Sequence, residues 1–198
     1  MSYVSVGLLA VLWWVFAASS WSKARSRTAL RAFADSLRPL PLLPARLVDP
    51  VAVLVTIAEL GLVLGIGWSV LAVATGWPAA RPGATLVLVL TLLLLAVLTT
   101  GVVLAVRRDT GARCACFGAT QQPLGRRHVV RNALLLAVTG AALVTVLVAR
   151  THPLAAAGVL VGVATGSVGA LILIRLDDLL ELFLPTPSTS LAPARRRR

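Results

Sequence analysis

Charged residues are scarce in this chain of 198 amino acids, since Asp, Glu, Lys and Arg together make up 13% of it. That is roughly half the share that a soluble domain carries, so too little polar material is present to cover a globule. The chain has only two cysteines, which is too few for a secreted disulfide scaffold. Hydrophobic residues reach 58%, which excludes a disordered chain. The low share of charged residues together with this high apolar content also excludes a soluble enzyme.

Long apolar runs are what the chain has instead. A membrane helix needs about 20 mostly apolar residues, and five segments meet or approach that length: residues 3–21, 51–75, 84–106, 129–149 and 153–174. They lack the alternation of barrel strands, and helices satisfy their own backbone in lipid. The sequence therefore predicts an all-α integral membrane bundle of about five spans, a four-helix core plus a C-terminal span. The first run lacks a basic leader and is followed by basic residues, which favours a retained span over a signal peptide.

Lysine and arginine alternate between the two sides of these spans. The loops and the tail, taken in chain order, hold 6, 1, 6, 1 and 5 of them, with Arg131 counted in the third loop. Because cytoplasmic loops carry the excess of basic residues, the first loop, the third loop and the tail are predicted to be cytoplasmic. This distribution explains the net charge of +12 by membrane topology and lipid contact, without nucleic acid. The predicted location is the inner or plasma membrane.

The segments between and after the spans differ in character. Residues 28–37 have apolar side chains at helical spacing and predict a short interfacial helix that ends before Pro39. We divide the chain into a transmembrane domain over residues 1–150, a fifth span with a short amphipathic helix over 151–184, and a basic, disordered tail over 185–198.

Small residues at four-residue intervals predict close helix packing. One stripe lies in the fifth predicted span and a shorter one in the second; their members are Gly158, Gly162, Gly166 and Ala170, and Gly61 and Gly65. Such stripes let helix backbones approach each other in lipid. They are typical of bundle packing, and a non-catalytic assembly partner held by its glycine faces is one interpretation of the whole chain.

Cys114 and Cys116 form a Cys-x-Cys pair in the third loop, and they are the candidate reactive residues. Positive charge nearby in the sequence, from Arg113, Arg126 and Arg127, favours the reactive thiolate form. A disulfide across a single residue restricts little chain entropy, which argues against a structural staple. We expect a labile dithiol–disulfide pair suited to redox exchange.

Metal handling is the competing interpretation of the two cysteines. Two thiolates suit Cu(I), and zinc would need further ligands, for which the chain offers His128 and His152. The topology places His152 on the opposite side from the cysteines. His128 lies twelve residues after Cys116, close enough along the chain to approach the cysteines, and no residue is assigned as a metal ligand.

Glu59 is the one acidic residue inside a predicted span. A carboxylate within the bilayer is costly and marks a candidate functional site. Eight residues of the predicted span precede it, which places it about a third of the way in, near Lys23 at the end of the first span. The pair is interpreted either as a proton-carrying element or as an ion pair that registers two helices. Arg131 and Asn132, at the start of the fourth span, are further polar candidates.

Taken together, these residues resemble the methylamine utilisation protein MauE family, which is related to DoxX-like membrane proteins. The resemblance covers roughly residues 5–145 and includes Lys23, Glu59, the motif from Cys114 to Gly118, and Arg131 with Asn132. Within that motif, Phe117 and Gly118 are expected to shape the loop around the cysteines.

The resemblance implies a membrane factor that assists maturation of methylamine dehydrogenase, or of another exported protein, by thiol–disulfide exchange. It also implies a thioredoxin-like partner and a client protein, beside the lipid bilayer. A looser analogy with membrane thiols that pass electrons to quinone suggests quinone as a cofactor. A maturation role would place Cys114 and Cys116 on the outer face, whereas the basic residues place them inside, and we retain the charge-based orientation.

Overall fold

The structure, a computed structural model, describes residues 2–38, 44–108, 126–149 and 152–176. These residues form six α-helices and no strands: α1 Ser2–Ala24, α2 Arg27–Leu37, α3 Ala45–Thr75, α4 Ala80–Arg107, α5 Arg126–Val148 and α6 Ala156–Ile174. Of these, α1, α3, α4, α5 and α6 are long and apolar enough to cross a membrane. The predicted all-helical membrane fold with five spans is therefore confirmed.

The observed helices are longer than most of the predicted spans, and the difference is largest in α3. This helix begins at Ala45 after an extended Pro44, whereas the sequence predicts a span from residue 51. Pro50 is the sixth residue of α3, and the helix continues through it. Its missing N–H leaves the carbonyl of Arg46, in the first turn, without an intrahelical donor. Because α3 begins at Ala45, Glu59 lies close to the middle of its 31 residues.

Helix α1 is at the centre of the bundle. It contacts α3, α5 and α6, while α4 packs against both α3 and α5. Helices α1, α3, α4 and α5 thus close a four-helix ring, and α6 lies on the outer side of α1. The ring is filled by aliphatic and aromatic side chains, among them Leu9, Leu12, Phe16, Ile66, Leu88 and Leu135.

Short connections hold one end of the bundle together, and we call it the Gly76 end. Gly76 ends α3 with a φ of 69°, and a Cβ atom there would lie 2.6 Å from the Pro153 nitrogen. The Leu154 N–H donates to the Ala74 carbonyl over 3.0 Å, and the Arg81 guanidinium donates to the Ala149 carbonyl. The opposite end, which we call the α2 end, therefore includes the C-terminus of α1, α2, the end of α4 and the start of α5.

Helix α6 approaches α1 backbone to backbone. A Cβ atom built on Gly166 would lie 2.4 Å from the Gly7 carbonyl oxygen, and one on Gly162 would lie 3.1 Å from the Tyr3 carbonyl oxygen. A Cβ atom on Gly158 would overlap the Tyr3 ring. The absence of side chains at these positions is what allows the two helices to pack this closely.

Candidate functional site

An ion pair between Lys23 and Glu59 is buried at the α2 end. The Lys23 ammonium nitrogen lies 2.5 Å from Glu59 Oε1 and 2.6 Å from Oε2, and it donates to both. Each residue is only 2% exposed. Lys23 belongs to the last turn of α1 and Glu59 to α3, so the pair joins two neighbouring helices of the ring.

Ser19 completes the polar contacts of this pair. It lies one turn before Lys23 on α1, and its hydroxyl oxygen accepts a hydrogen bond from the ammonium over 2.9 Å. The same hydroxyl lies 3.3 Å from each carboxylate oxygen and donates to the Glu59 carboxylate. The three N–H groups of Lys23 therefore find three acceptors, as a buried cation requires.

Phe33 covers the ion pair from α2. The Lys23 nitrogen lies 4.7 Å from the centroid of the Phe33 ring, which is within range of a cation–π interaction. Phe33 is 2% exposed and packs with Ala34 of α2 against Val48 and Ala52 of α3. The apolar face of α2 thus rests on the protein and closes the ion pair off from that side.

Local sequence explains the position of α2. Ser26 is its N-cap, and the serine hydroxyl accepts from the Ala29 N–H over 3.0 Å. Only Arg25 and Ser26 separate α2 from the end of α1. This short connection keeps Phe33 within reach of Lys23.

Arg131 and Asn132 lie in the second turn of α5, also at the α2 end. Arg131 is 5% exposed and Asn132 is half-buried. Helix α5 packs against α1 and α4. The bundle therefore buries two cations at the same end, Lys23 and Arg131.

The two cysteines lie outside the described residues, as do Phe117 and Gly118. The connection that carries them leaves α4 at Arg107 and enters α5 at Arg126, and both of these helix ends are at the α2 end. Cys114 follows Arg107 by 7 residues, and Cys116 precedes Arg126 by 10. The chain connectivity thus tethers the Cys-x-Cys motif to the end of the bundle that holds Lys23 and Glu59.

The histidines are divided between the two ends. His128 lies in the first turn of α5 at the α2 end, and His152 precedes α6 at the Gly76 end. Among the described residues no group of three or more His, Cys, Asp and Glu is arranged to hold a metal ion. Of the two histidines, only His128 is at the end that the cysteine motif is tethered to.

The remaining glycine positions differ from one another. A Cβ atom on Gly65 would lie 3.0 Å from Val87 of α4, so this glycine faces a neighbouring helix. A Cβ atom on Gly61 would meet nothing within 4 Å in the described part of the chain. Equal spacing in the sequence therefore marks one contact residue and one exposed residue.

Two members of the buried cluster, Ser19 and Phe33, are absent from the sequence-based set of candidates. The sequence could have indicated Ser19 as a partner of Lys23, because it lies four residues before Lys23 on the same helix face. The indication for Phe33 is weaker. Its helical spacing predicts a buried face on α2 but does not identify Lys23 as the group beneath it.

The fold and the site together define a polytopic helical membrane protein with an ion pair buried under an amphipathic helix and a Cys-x-Cys motif tethered to the same end. The family model for methylamine utilisation protein MauE matches residues 1–147, which include helices α1 to α4 and all of α5 except its last residue. The chain therefore belongs to the MauE family. No curated protein and no solved structure matches the chain.

Proposed function

We propose that this MauE family protein is a thiol–disulfide exchange factor of the cell membrane, with Cys114 and Cys116 as the exchanging pair. It assists disulfide formation in methylamine dehydrogenase or in another exported protein. The observation that carries the proposal is the placement of the chain's only two cysteines, one residue apart, within the family-matched region and in the connection between α4 and α5.

The exchange is a two-electron reaction. A client thiolate attacks the Cys114–Cys116 disulfide, and a mixed disulfide forms while one cysteine leaves as a thiolate. A second client thiolate then attacks the mixed disulfide, so the client is oxidised to a disulfide and the pair is reduced to a dithiol. A disulfide of a thioredoxin-like partner accepts the two electrons and restores the pair. Quinone is the alternative acceptor, and it would take up two electrons and two protons.

The polar residues at the α2 end have a supporting role in this proposal. Lys23 and Glu59 fix α1 against α3, and Arg131 and Asn132 lie near the start of the helix that follows the cysteine connection. Phe117 and Gly118 shape the loop itself. Arginines next to the cysteines in the sequence, Arg113 above all, favour the thiolate form that exchange requires.

The orientation follows from charge. The basic residues nearest the Gly76 end in the chain are Arg81, in the first turn of α4, and Arg150, shortly after α5. The other basic residues belong to the α2 end or to the tail. Because basic loops stay on the cytoplasmic side, the α2 end and the tethered cysteines face the cytoplasm. In this orientation a cytoplasmic thioredoxin-like protein supplies electrons to the pair, whereas direct oxidation of an exported client requires the pair on the outer face, where disulfides persist.

The test is a trapping experiment in cells that depend on the protein. The Cys116→Ser variant retains Cys114 without a resolving thiol, so we expect a mixed disulfide with the partner to accumulate, detectable after acid quenching and maleimide alkylation. The double Cys114→Ser/Cys116→Ser variant should lose both the adduct and client disulfide formation. Ala115→Ser, which alters the residue between the cysteines and keeps both thiols, is the matched control and should behave as the unaltered protein.

Other outcomes would replace the proposal. Stoichiometric copper or zinc in the purified protein, lost in both single serine variants, would indicate metal handling. Normal client maturation in the double serine variant, combined with its loss on bulky substitution at Gly162, would indicate a non-catalytic assembly partner.

A further inference from the structure

Helix α2 presents unpaired positive charge on the face opposite to Phe33. Arg27 and Arg31 lie one turn apart and are exposed, and Arg25 immediately precedes the helix and is exposed as well. Within the described part of the chain, the ion pairs are Lys23 with Glu59 and Arg38 with Asp35. Three guanidinium groups on and beside α2 are thus available to a ligand.

The inner face of α2 is fixed to the bundle by Phe33 and Ala34, which pack against the first turns of α3. A mobile basic segment would have to become ordered before it could bind a ligand with a defined geometry. Here the helix is already capped by Ser26 and seated on the ion pair, so the positions of Arg27 and Arg31 are set before a ligand arrives.

The apolar surface beside α2 indicates that its arginines lie at the level of the membrane boundary. Trp21, in the last turn of α1, is 72% exposed, and tryptophan is enriched where a membrane meets water. Arg25 follows Trp21 by four residues. The first available cations are therefore about one helical turn beyond the tryptophan, at the depth of lipid headgroups.

We propose that the outer face of α2, with Arg25, Arg27 and Arg31, is a binding site for the phosphate of an anionic phospholipid headgroup. The planar guanidinium group forms paired hydrogen bonds to phosphate oxygens, and the bilayer holds such phosphates at this depth. Headgroup binding on one face of α2 stabilises the contact of Phe33 with Lys23 on the other. The lipid thereby fastens α2 over the buried ion pair, independently of any exchange at the cysteines.

Native mass spectrometry of the full-length protein in detergent tests this site, with phosphatidylglycerol and phosphatidylcholine titrated in parallel. We expect preferential binding of phosphatidylglycerol and a roughly 25-fold loss of its affinity in Arg27→Gln/Arg31→Gln, since each basic residue at an anionic surface contributes about fivefold. The Arg27→Lys/Arg31→Lys variant keeps the charge and should lose much less. Arg46→Gln removes an exposed cation at the start of α3, outside the proposed site, and should change phosphatidylglycerol binding much less.

A second measurement separates binding from folding. Phosphatidylglycerol should raise the thermal unfolding midpoint of the unaltered protein and leave that of Arg27→Gln/Arg31→Gln unchanged, while the two proteins unfold at the same temperature without lipid. Equal binding of both lipids, or unaltered binding by the glutamine variant, would overturn the proposal. Competition by glycerol phosphate at lipid-equivalent concentrations would assign the site to free anions instead.

Discussion

Lys23 illustrates how a charge is accommodated inside this bundle. Its ammonium group donates to Ser19 and to both oxygens of Glu59, and its remaining surface faces the Phe33 ring. Desolvation of two opposite charges is costly, and their attraction offsets that cost only when the hydrogen bonds are complete. The arrangement around Lys23 meets this condition and joins α1 to α3.

Removal of one partner of this pair should be strongly destabilising. Lys23→Met leaves the Glu59 carboxylate buried without its cation, and we expect a loss of about 3–5 kcal/mol in the free energy of unfolding. The double Lys23→Met/Glu59→Met variant should recover part of that loss, because no uncompensated charge remains. Both are measured by denaturant unfolding in detergent.

The exposed pair between Arg38 and Asp35 provides the matched control for that experiment. Its side chains are 61% and 64% exposed and its nitrogen–oxygen distance is 3.0 Å. Arg38→Met should therefore cost less than about 1 kcal/mol. If Lys23→Met cost no more than Arg38→Met, the buried pair would have no special part in holding α1 to α3.

The sequence alone was sufficient to predict the partners Lys23 and Glu59, because one carboxylate within an apolar span and one lysine at the end of a neighbouring span leave few combinations. It was insufficient to predict Phe33 above them. The amphipathic pattern of α2 defines an apolar face, but whether that face covers lipid or another helix depends on the path of the chain between α1 and α3.

At the scale of elements, α2 packs against α3 through a few apolar side chains, and Phe33 is the largest of these side chains. Phe33→Ala removes both the ring over Lys23 and most of the apolar contact with α3, so we expect a loss of about 3 kcal/mol in the local stability of α2. The change should appear as faster amide hydrogen exchange in α2 while the exchange of α5 stays constant.

Ala32 lies beside Phe33 on the exposed side of α2 and gives the control for this prediction. Ala32→Ser keeps every contact of the apolar face and should leave amide protection in α2 nearly unchanged. Equal protection in the Phe33→Ala and Ala32→Ser variants would mean that α2 is held by something other than its apolar face.

The contact between α6 and α1 depends on glycine at the crossing point. Gly166→Ala would place a methyl group 2.4 Å from the Gly7 carbonyl oxygen and 2.8 Å from the Ala10 Cβ atom, so the helices must separate. We expect a loss of about 1–3 kcal/mol in stability, measured by unfolding in detergent. Gly169→Ala, whose new methyl group would lie 3.4 Å from Val11, should be tolerated. Equal effects of the two changes would contradict this explanation.

The glycine spacing in α6 predicted that one face of this helix packs closely against another helix, but it did not identify that helix as α1. On α1 the close contact is made at Gly7, a single glycine within an apolar run, which gives no comparable spacing signal. Gly61 shows the reverse case, in which the same spacing marks a position with no neighbour within 4 Å among the described residues. Spacing identifies a face of a helix, whereas the choice of neighbour is a property of the whole bundle.

At the scale of the whole molecule, the two ends of the bundle are built differently. The Gly76 end is closed by short connections and main-chain hydrogen bonds, including that from Leu154 to Ala74. The α2 end holds the buried ion pair, the basic face of α2 and the helix ends from which the cysteine connection departs. We therefore expect the proposed exchange chemistry and the proposed lipid contact to lie on one side of the membrane.

Labelling with a membrane-impermeant maleimide tests that assignment of sides. In a chain without its native cysteines, Ala79→Cys reports the Gly76 end and Ala32→Cys the α2 end, since both positions are exposed. We expect Ala79→Cys to react in intact cells and Ala32→Cys only after the cells are opened, because basic residues favour a cytoplasmic α2 end. The reverse pattern would invert the orientation and place Cys114 and Cys116 outside, where disulfides persist. Labelling of both positions from the same side would contradict a membrane crossing by α3, the long helix that lies between them in the chain.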